Sequence, residues 1–204
     1  PAYLEEIEWR FLPEPSTRSP ALESGDVDIA FDLVPTNLDR IVQTPSLDVT
    51  FARLTGQSAY WHINTQLMPT NELAVRRAIL YAADMSAGTQ AITRGISPVA
   101  HGPLSAVTPE YALDLERMYP YNPEKAKQLL DNAGWIDSDG GGIRKKDGNP
   151  LVIKLSMVSW GQSQSFSVLL QAQLRRVGIQ LHLEMLDYAV QLEAGQQGRK
   201  NMLF

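Results

Sequence analysis

Cysteine is absent from the 204 residues. That excludes a thiol nucleophile, cysteine-based zinc sites and disulfide bonds, and it fits either redox compartment. No run approaches the roughly 18 apolar residues that a membrane-spanning helix needs. Basic residues are also short: 18 Lys and Arg stand against 23 Asp and Glu, a formal charge of −5. A nucleic-acid surface, which needs clustered cations, is therefore disfavoured. The pairs Arg76-Arg77, Lys145-Lys146 and Arg175-Arg176 are scattered among acids and read as solvated faces. Histidine is limited to His62, His101 and His182, with no ligand spacing, so no metal site is expected. GxSxG, SxxK and a Walker-type phosphate loop are missing as well. Catalytic triads assemble from distant positions, but nothing in the chain points to an enzyme or to a cofactor.

What is present is an ordinary globular composition, 44% hydrophobic and 20% charged, long enough for one generous domain or two small ones. The chain starts at Pro1 without Met and ends on "GRKNMLF", so a piece of a longer protein is expected, and missing targeting signals then carry no weight.

"IEWRFL" alternates Ile7, Trp9 and Phe11 against Glu8 and Arg10, which predicts a strand. "STRSPALESG" predicts a short helix closed by Gly25 although Pro20 weakens it, and "VDIAF" predicts a second strand. Together they make a small βαβ unit. Residues 36–43 suit a short amphipathic helix, and "LDVTFARL" and "SAYWHIN" look strand-like. In "NELAVRRAILYAAD" the residues Val75, Ala78, Ile79 and Ala82 recur at helical spacing, with Asn71 placed to cap. A further helix is expected over Ala87–Arg94, followed by "SPVAHGPLSAVTPEY", a long surface connection with three prolines.

"NPEKAKQLLDNAGW" carries both helix signals: Asn122 as cap, Pro123 in the first turn, a stripe of Ala126, Leu129, Leu130 and Ala133, and Gly134 as stop. "DSDGGG" and "KDGNP" read as tight turns around a short hairpin at "GIRKK". A calcium loop beginning at Asp137 is the competing interpretation of "DSDGGG". It would need a bidentate Glu at loop position 12, and that position is Gly148. "LVIKLSM", then a helix with Phe166, Leu169, Leu170, Leu174 and Val177, then "IQLHLEM" form a second βαβ unit, of right-handed crossover.

In open α/β sheets ligands sit outside the carboxyl ends of strands, where loops lead into helix N-termini. "VSWGQSQ" occupies that place. It offers the Ser159 hydroxyl, the Trp160 ring and N–H, open backbone at Gly161, the Gln162 amide and the free N–H groups of a helix start. These residues are the candidate ligand-binding set, although Trp160 could equally cap the edge of the core. His101, in the long loop, is the one histidine placed for chemistry.

The ordered series "YPYNPEKAKQLLDNAGW", "DSDGGGIRKKDGNPLVIKL" and "LQAQLRRVGIQLHLEM", with "YLEEIEWRFLPEPSTRSPALESGDVDIA" and "AVRRAILYAAD" before it, resembles family 5 of the bacterial extracellular solute-binding proteins. These are the peptide- and nickel-type receptors of ABC importers. The resemblance runs from Tyr3 to about Met185. It implies an α/β, periplasmic-binding-protein-like fold with mixed sheets and flanking helices. Residues 1–55 would close a first lobe and residues 56–204 would form most of a second, truncated at its C-terminal end. Arg76, Tyr81, Asp84, Pro123, Gly134 and Trp135 match the family pattern as scaffold. Ser159–Gln162 matches a segment that lines the peptide cleft. The second half of the first lobe and the segment that anchors ligand in peptide binders have no counterpart here.

The resemblance implies an extracytoplasmic receptor that captures peptide by closure of two lobes and passes it to a membrane permease, without catalysis. Nickel complexes and sugars are alternative ligands within the family. A cytoplasmic effector-binding domain of a transcription regulator is a different two-lobed solution. A hydrolase using His101 or an unrecognised serine is a third.

Overall fold

The structure, a computed structural model, describes residues 3–51, 58–111 and 114–204. The chain divides into two compact units, Pro1–Ala52 and Arg53–Phe204.

In the first unit α1 spans Pro15–Ser24, with a proline in its first turn, Pro20 in its interior and Gly25 in the left-handed conformation at its end. A 3-10 turn, Pro35–Asn37, runs into α2, Leu38–Val42, whose Ile41 is fully buried. The strands expected over 7–11 and 27–31 do not form. Both stretches are without ladder partners, and Ile7, Trp9, Phe11, Ile29 and Phe31 are exposed. Alternation prepares a face, but a strand exists only when its N–H and C=O groups find a neighbour. The two stretches meet through one stacked pair, Trp9 and Phe31, with centroids 6.2 Å apart. Arg18 stitches the unit by donating to Leu12 O and to both the carbonyl and the carboxylate of Asp32. "LDVTFARL" shows no strand over 47–51, and its remainder lies outside the described residues.

The second unit begins with β1, shortened from the expected "SAYWHIN" run to His62–Ile63. Helix α3, Leu73–Ala82, buries Val75, Ala78, Ile79 and Ala82 on one stripe, joined by Tyr81. Its cap position is Glu72 and not Asn71, and no side chain accepts there. The Glu72 carboxylate serves instead as an anchor, taking Trp135 Nε1 at 3.3 Å and Lys146 Nζ at 3.1 Å. Helix α4, Met85–Thr93, starts two residues earlier than expected because Asp84 caps it through Ala87 N–H. Residues 97–111 form the long connection, and α5, Leu115–Met118, follows. Helix α6, Pro123–Asn132, has Asn122 accepting from Lys125 N–H at 2.9 Å and buries Ala126 and Leu130.

Strands β2, Lys145–Lys146, and β3, Asn149–Pro150, pair antiparallel across an Asp147-Gly148 turn with both φ values positive, the combination a tight hairpin requires. The lysines are not merely solvated: Lys146 pairs with Glu72 and Lys145 with Asp139. Strand β4, Val152–Met157, helix α7, Ser163–Arg175, and strand β5, Gln180–Met185, make the βαβ crossover, with β4 and β5 parallel from Val152↔Gln180 to Met157↔Met185. Leu151, Ile153, Leu155 and Met157 are all buried, as the alternation requires, whereas Met185 at the far end of β5 is 42% exposed. Two elements the pattern did not announce complete the unit: α8, Tyr188–Gln196, and β6, Met202–Leu203. The sheet runs β1-β6-β4-β5, with β6 parallel to β4 and β1 antiparallel to β6. Asn201 seats β6: its Oδ1 accepts from Lys154 N–H at 3.1 Å and its Nδ2 donates to Met68 O at 2.9 Å. No helix among the described residues is long and apolar enough to cross a membrane.

One buried side chain joins these parts. Arg144 donates through Nε to Val177 O at 2.9 Å and through Nη1 to Trp135 O at 2.7 Å, and it pairs with the Asp131 carboxylate. Gly178 lies against it with φ +88, and a Cβ there would sit 2.6 Å from Arg144 Cγ. The substitution Gly178→Ala therefore combines left-handed strain with a clash against an immobilised side chain. It is expected to cost about 2–4 kcal/mol, read as a lowered urea midpoint with an unchanged slope.

The "DSDGGG" loop uses its acids locally: Asp137 Oδ2 accepts from Gly142 N–H at 3.0 Å and Asp139 Oδ1 from Gly141 N–H at 3.3 Å. The hydrogen bond from Lys145, with help from Gly141 N–H, holds the exposed Asp139 carboxyl below its ordinary value. A depressed carboxyl stabilises the fold above the ordinary carboxylate range and loses that contribution as pH falls through the lowered value, here below about pH 4. An NMR titration should find Asp139 low in the native chain and returned toward the ordinary range in Lys145→Met.

Candidate functional site

Because β4, β5 and β6 are mutually parallel, their carboxyl ends open on one edge of the sheet. The Met157↔Met185 register, closed by Leu186 N–H to Met157 O at 2.9 Å, sets the loop after β4 beside the loop after β5. Phe204 N–H donates to Ser156 O at 3.0 Å, which brings the end of β6 to the same edge. Strand β1 runs the other way, so Tyr60 and Trp61 also arrive there, and Trp61 meets Phe204 edge to face at 5.3 Å. These two aromatics differ in burial. Trp61 is half-buried against the core, while Tyr60 is 40% exposed.

The loop Val158–Gln162 is pinned by its backbone. Trp160 N–H donates to Val158 O at 2.9 Å, Ser163 N–H to Trp160 O at 3.1 Å, and the buried Ser163 hydroxyl to Val158 O at 2.6 Å. Its three middle residues are left to solvent, while Val158 and Gln162 are half-buried. Trp160 is 73% exposed, so it does not cap the core edge, and Ser159 and Gly161 are exposed too. Gln162 occupies the cap position of α7 without a side-chain cap bond, so its amide is not spent on the helix. The N–H groups of Gln164 and Ser165, in the first turn of α7, have no intrahelical acceptor by position. A rigid backbone with a bare indole, a hydroxyl, an amide and helix-start donors suits contact with a polar solute. All four sequence-derived candidates, Ser159, Trp160, Gly161 and Gln162, thus share one short segment at the sheet's carboxyl edge.

Two residues the sequence did not suggest lie across the strand register. Asp187 is exposed at the cap position of α8 with no side-chain cap bond, and Tyr188 is 73% exposed. The signal was available only indirectly. "LDY" follows the alternating strand as "VSW" follows its partner, and the two become neighbours once parallel pairing fixes the register. Together the two loops put aromatic faces, one uncommitted carboxylate and several neutral hydrogen-bonding groups on a single rim.

His62 in β1, His182 in β5 and His101 in the long connection are all exposed, and among the described residues no group of three His, Asp or Glu could hold a metal ion. His182 lies on the solvated face of β5, as its place in the alternation predicts. The nearest approach of His62 to chemistry is an edge-to-face contact with Tyr60 at 4.7 Å. A depression of about 240 Å³ between Arg77, Tyr81, Tyr119 and Lys125 lies on α3 and α6, away from the carboxyl edge.

The model of the bacterial extracellular solute-binding proteins, family 5 middle region, matches residues 1–204, the whole of the chain. The nickel-binding periplasmic protein of Escherichia coli is 33% identical over 98% of this chain and 39% of its own length. The oligopeptide-binding protein AppA of Bacillus subtilis is 26% identical over 94% of this chain and 35% of its own. The crystal structure of NikA from Brucella suis in complex with Fe(III)-EDTA superposes with a TM-score of 0.83 at 29% identity, covering 95% of this chain and 39% of that one. The chain thus spans well under half the length of these relatives. It belongs to family 5 of the bacterial extracellular solute-binding proteins, a family of solute binders and not of enzymes.

Proposed function

We propose that this family 5 chain is the part of an extracytoplasmic receptor that captures a small polar solute, with peptide the leading class, for delivery to the permease of an ABC importer. In this reading residues 1–55 contribute to one lobe and residues 56–204 to a second, and ligand is held by closure of the two. The single observation that carries the proposal is Trp160, 73% exposed on a loop pinned through Val158 O and the backbone of Trp160 itself. What sets this indole apart from other exposed aromatics is its place: it stands at the carboxyl edge of the sheet, with the equally exposed Tyr188 on the neighbouring loop, where it offers a flat apolar face to a solute.

Peptide suits the chemistry of the rim. Its amides find hydroxyl, amide and backbone partners at Ser159, Gln162 and the start of α7, its charged amino group finds the carboxylate of Asp187, and its side chains find the faces of Trp160 and Tyr188. Neutral partners and bridging water tolerate varied side chains. The relative that is called oligopeptide-binding supports the same class. A second reading is favoured by the higher identity to the nickel-binding relative: a metal chelate, held through the chelate's own carboxylates and apolar body and not through protein ligands. The absence of a His, Asp and Glu cluster among the described residues fits that mode of holding.

Native mass spectrometry of the gently purified natural protein tests both. A ladder of co-purified masses matching short peptides supports the first reading, and one discrete mass carrying a metal isotope pattern transfers the site to the second. With the ligand so identified, Trp160→Ala is expected to weaken binding by tenfold or more by calorimetry, about 1.4 kcal/mol, while leaving the melting temperature within a degree or two. Unchanged affinity would remove Trp160 from the site.

A further inference from the structure

Strand β5 is an outer strand: among the described residues its one sheet neighbour is β4. Gln180 N–H donates to Leu151 O and Leu186 N–H to Met157 O, both at 2.9 Å. In a parallel ladder this turns the even-numbered residues of β5 toward β4, and the N–H and C=O groups of Leu181, Leu183 and Met185 point outward. Of these, Leu181 O accepts from Gln171 Nε2 at 2.7 Å. Beside this edge α7 leaves Val168 49% exposed and Ala172 exposed one turn later, and with Gln171, Arg175, Ile179 and His182 they border a groove of about 400 Å³. Open edges of this kind are templates for pairing unless something blunts them.

We propose that β5 pairs antiparallel with β5 of a second copy of the chain, about a two-fold axis through Leu183. The sequence "QLHLEM" is self-complementary about that residue. Leu183 then faces its own copy and Leu181 faces Met185, all at hydrogen-bonded positions supplied by the outward-pointing groups. His182 faces Glu184 twice, at the non-hydrogen-bonded positions where opposed side chains come closest. Moving the axis by one pair, to Leu181 or to Met185, sets His182 against Gln180 or Glu184 against Leu186 and loses the match. Both His182 and Glu184 are exposed on the free face of β5, available to a partner strand. The arrangement is isologous, so the strip of Val168 and Ala172 from each copy flanks the same axis and is covered by the same event. Two costs are visible. Gln171 must release Leu181 O, and Glu184 already pairs with Lys200 of its own chain, so one carboxylate serves two hydrogen-bond donors. The twofold match of an imidazole donor to a carboxylate acceptor argues for a second copy over an unrelated extended peptide, which would have no reason to repeat it.

Sedimentation velocity on the natural protein over a wide concentration range, with two single variants at an exposed position, decides the matter. A reversible dimer is expected. His182→Glu, which opposes two carboxylates to two carboxylates, should raise its dissociation constant about tenfold, and His182→Lys should lower it about threefold or more. Amide exchange at Leu183 and Met185 should slow as the protein is concentrated. A monomer at every concentration overturns the proposal, and so does a dimer indifferent to both variants or moved the same way by both.

Discussion

The second unit depends on a charge that has been taken out of water. Arg144 is 8% exposed, and a guanidinium in that position is tolerable only if its donors are met. The partners are the carboxylate of Asp131 in α6 and two carbonyls, Trp135 O just past α6 and Val177 O just past α7. Both carbonyls lie where a helix has run out of intrahelical donors, at the negative end of its dipole. One cation thus serves the ends of two helices, and Arg144 N–H to Gly178 O ties the hairpin strand to the same point. From there Ile179 leads into β5 in register with β4. The junction therefore fixes where β5 starts, and through the ladder where the loop after Met185 emerges. The rim of the candidate site is set by a contact at the opposite end of the sheet.

How much of this was legible can be argued element by element. Helix α6 carries its cap, its first-turn proline, its stripe and its stop within one stretch, and Asn122 does accept from Lys125 N–H. Strands β4 and β5 alternate cleanly because one face of each meets α7 and the core. The stretches at 7–11 and 27–31 alternate just as cleanly and are not strands, since a ladder needs a partner and pattern alone cannot supply one. Strand β6 pairs over just two residues and is held by Asn201, a long-range bond with no periodic signature. Helix α8 leaves Val190 and Leu192 exposed and buries Ala194, so no stripe marked it in advance.

The candidate site divides in the same way. Ser159–Gln162 could be found because a general rule about carboxyl ends of parallel strands names the loop before any coordinates do. Whether Trp160 packs or protrudes could not be read from its neighbours. The answer lies in Ser163, whose hydroxyl holds Val158 O and turns the loop so that the indole faces out. Asp187 and Tyr188 are invisible to the same rule until the register of β5 is known, because they belong to the site through pairing and not through spacing.

A parallel sheet offers two kinds of unsatisfied border, and this one uses them differently. At the carboxyl ends the strand direction collects loops and helix starts, so varied side chains converge on one rim without disturbing the ladder behind them. At the lateral edge the border is the backbone itself, with a fixed repeat that can be matched only by another strand. Residues that would adapt the rim to a different solute, Trp160 or Tyr188, lie outside the β5 ladder, and residues that would alter edge pairing, His182 or Glu184, lie within it on the solvent face. Substitutions that retune the proposed rim and substitutions that retune the proposed edge pairing would therefore fall on different positions. They share the register of β5 on β4, and that register rests on the junction at Arg144.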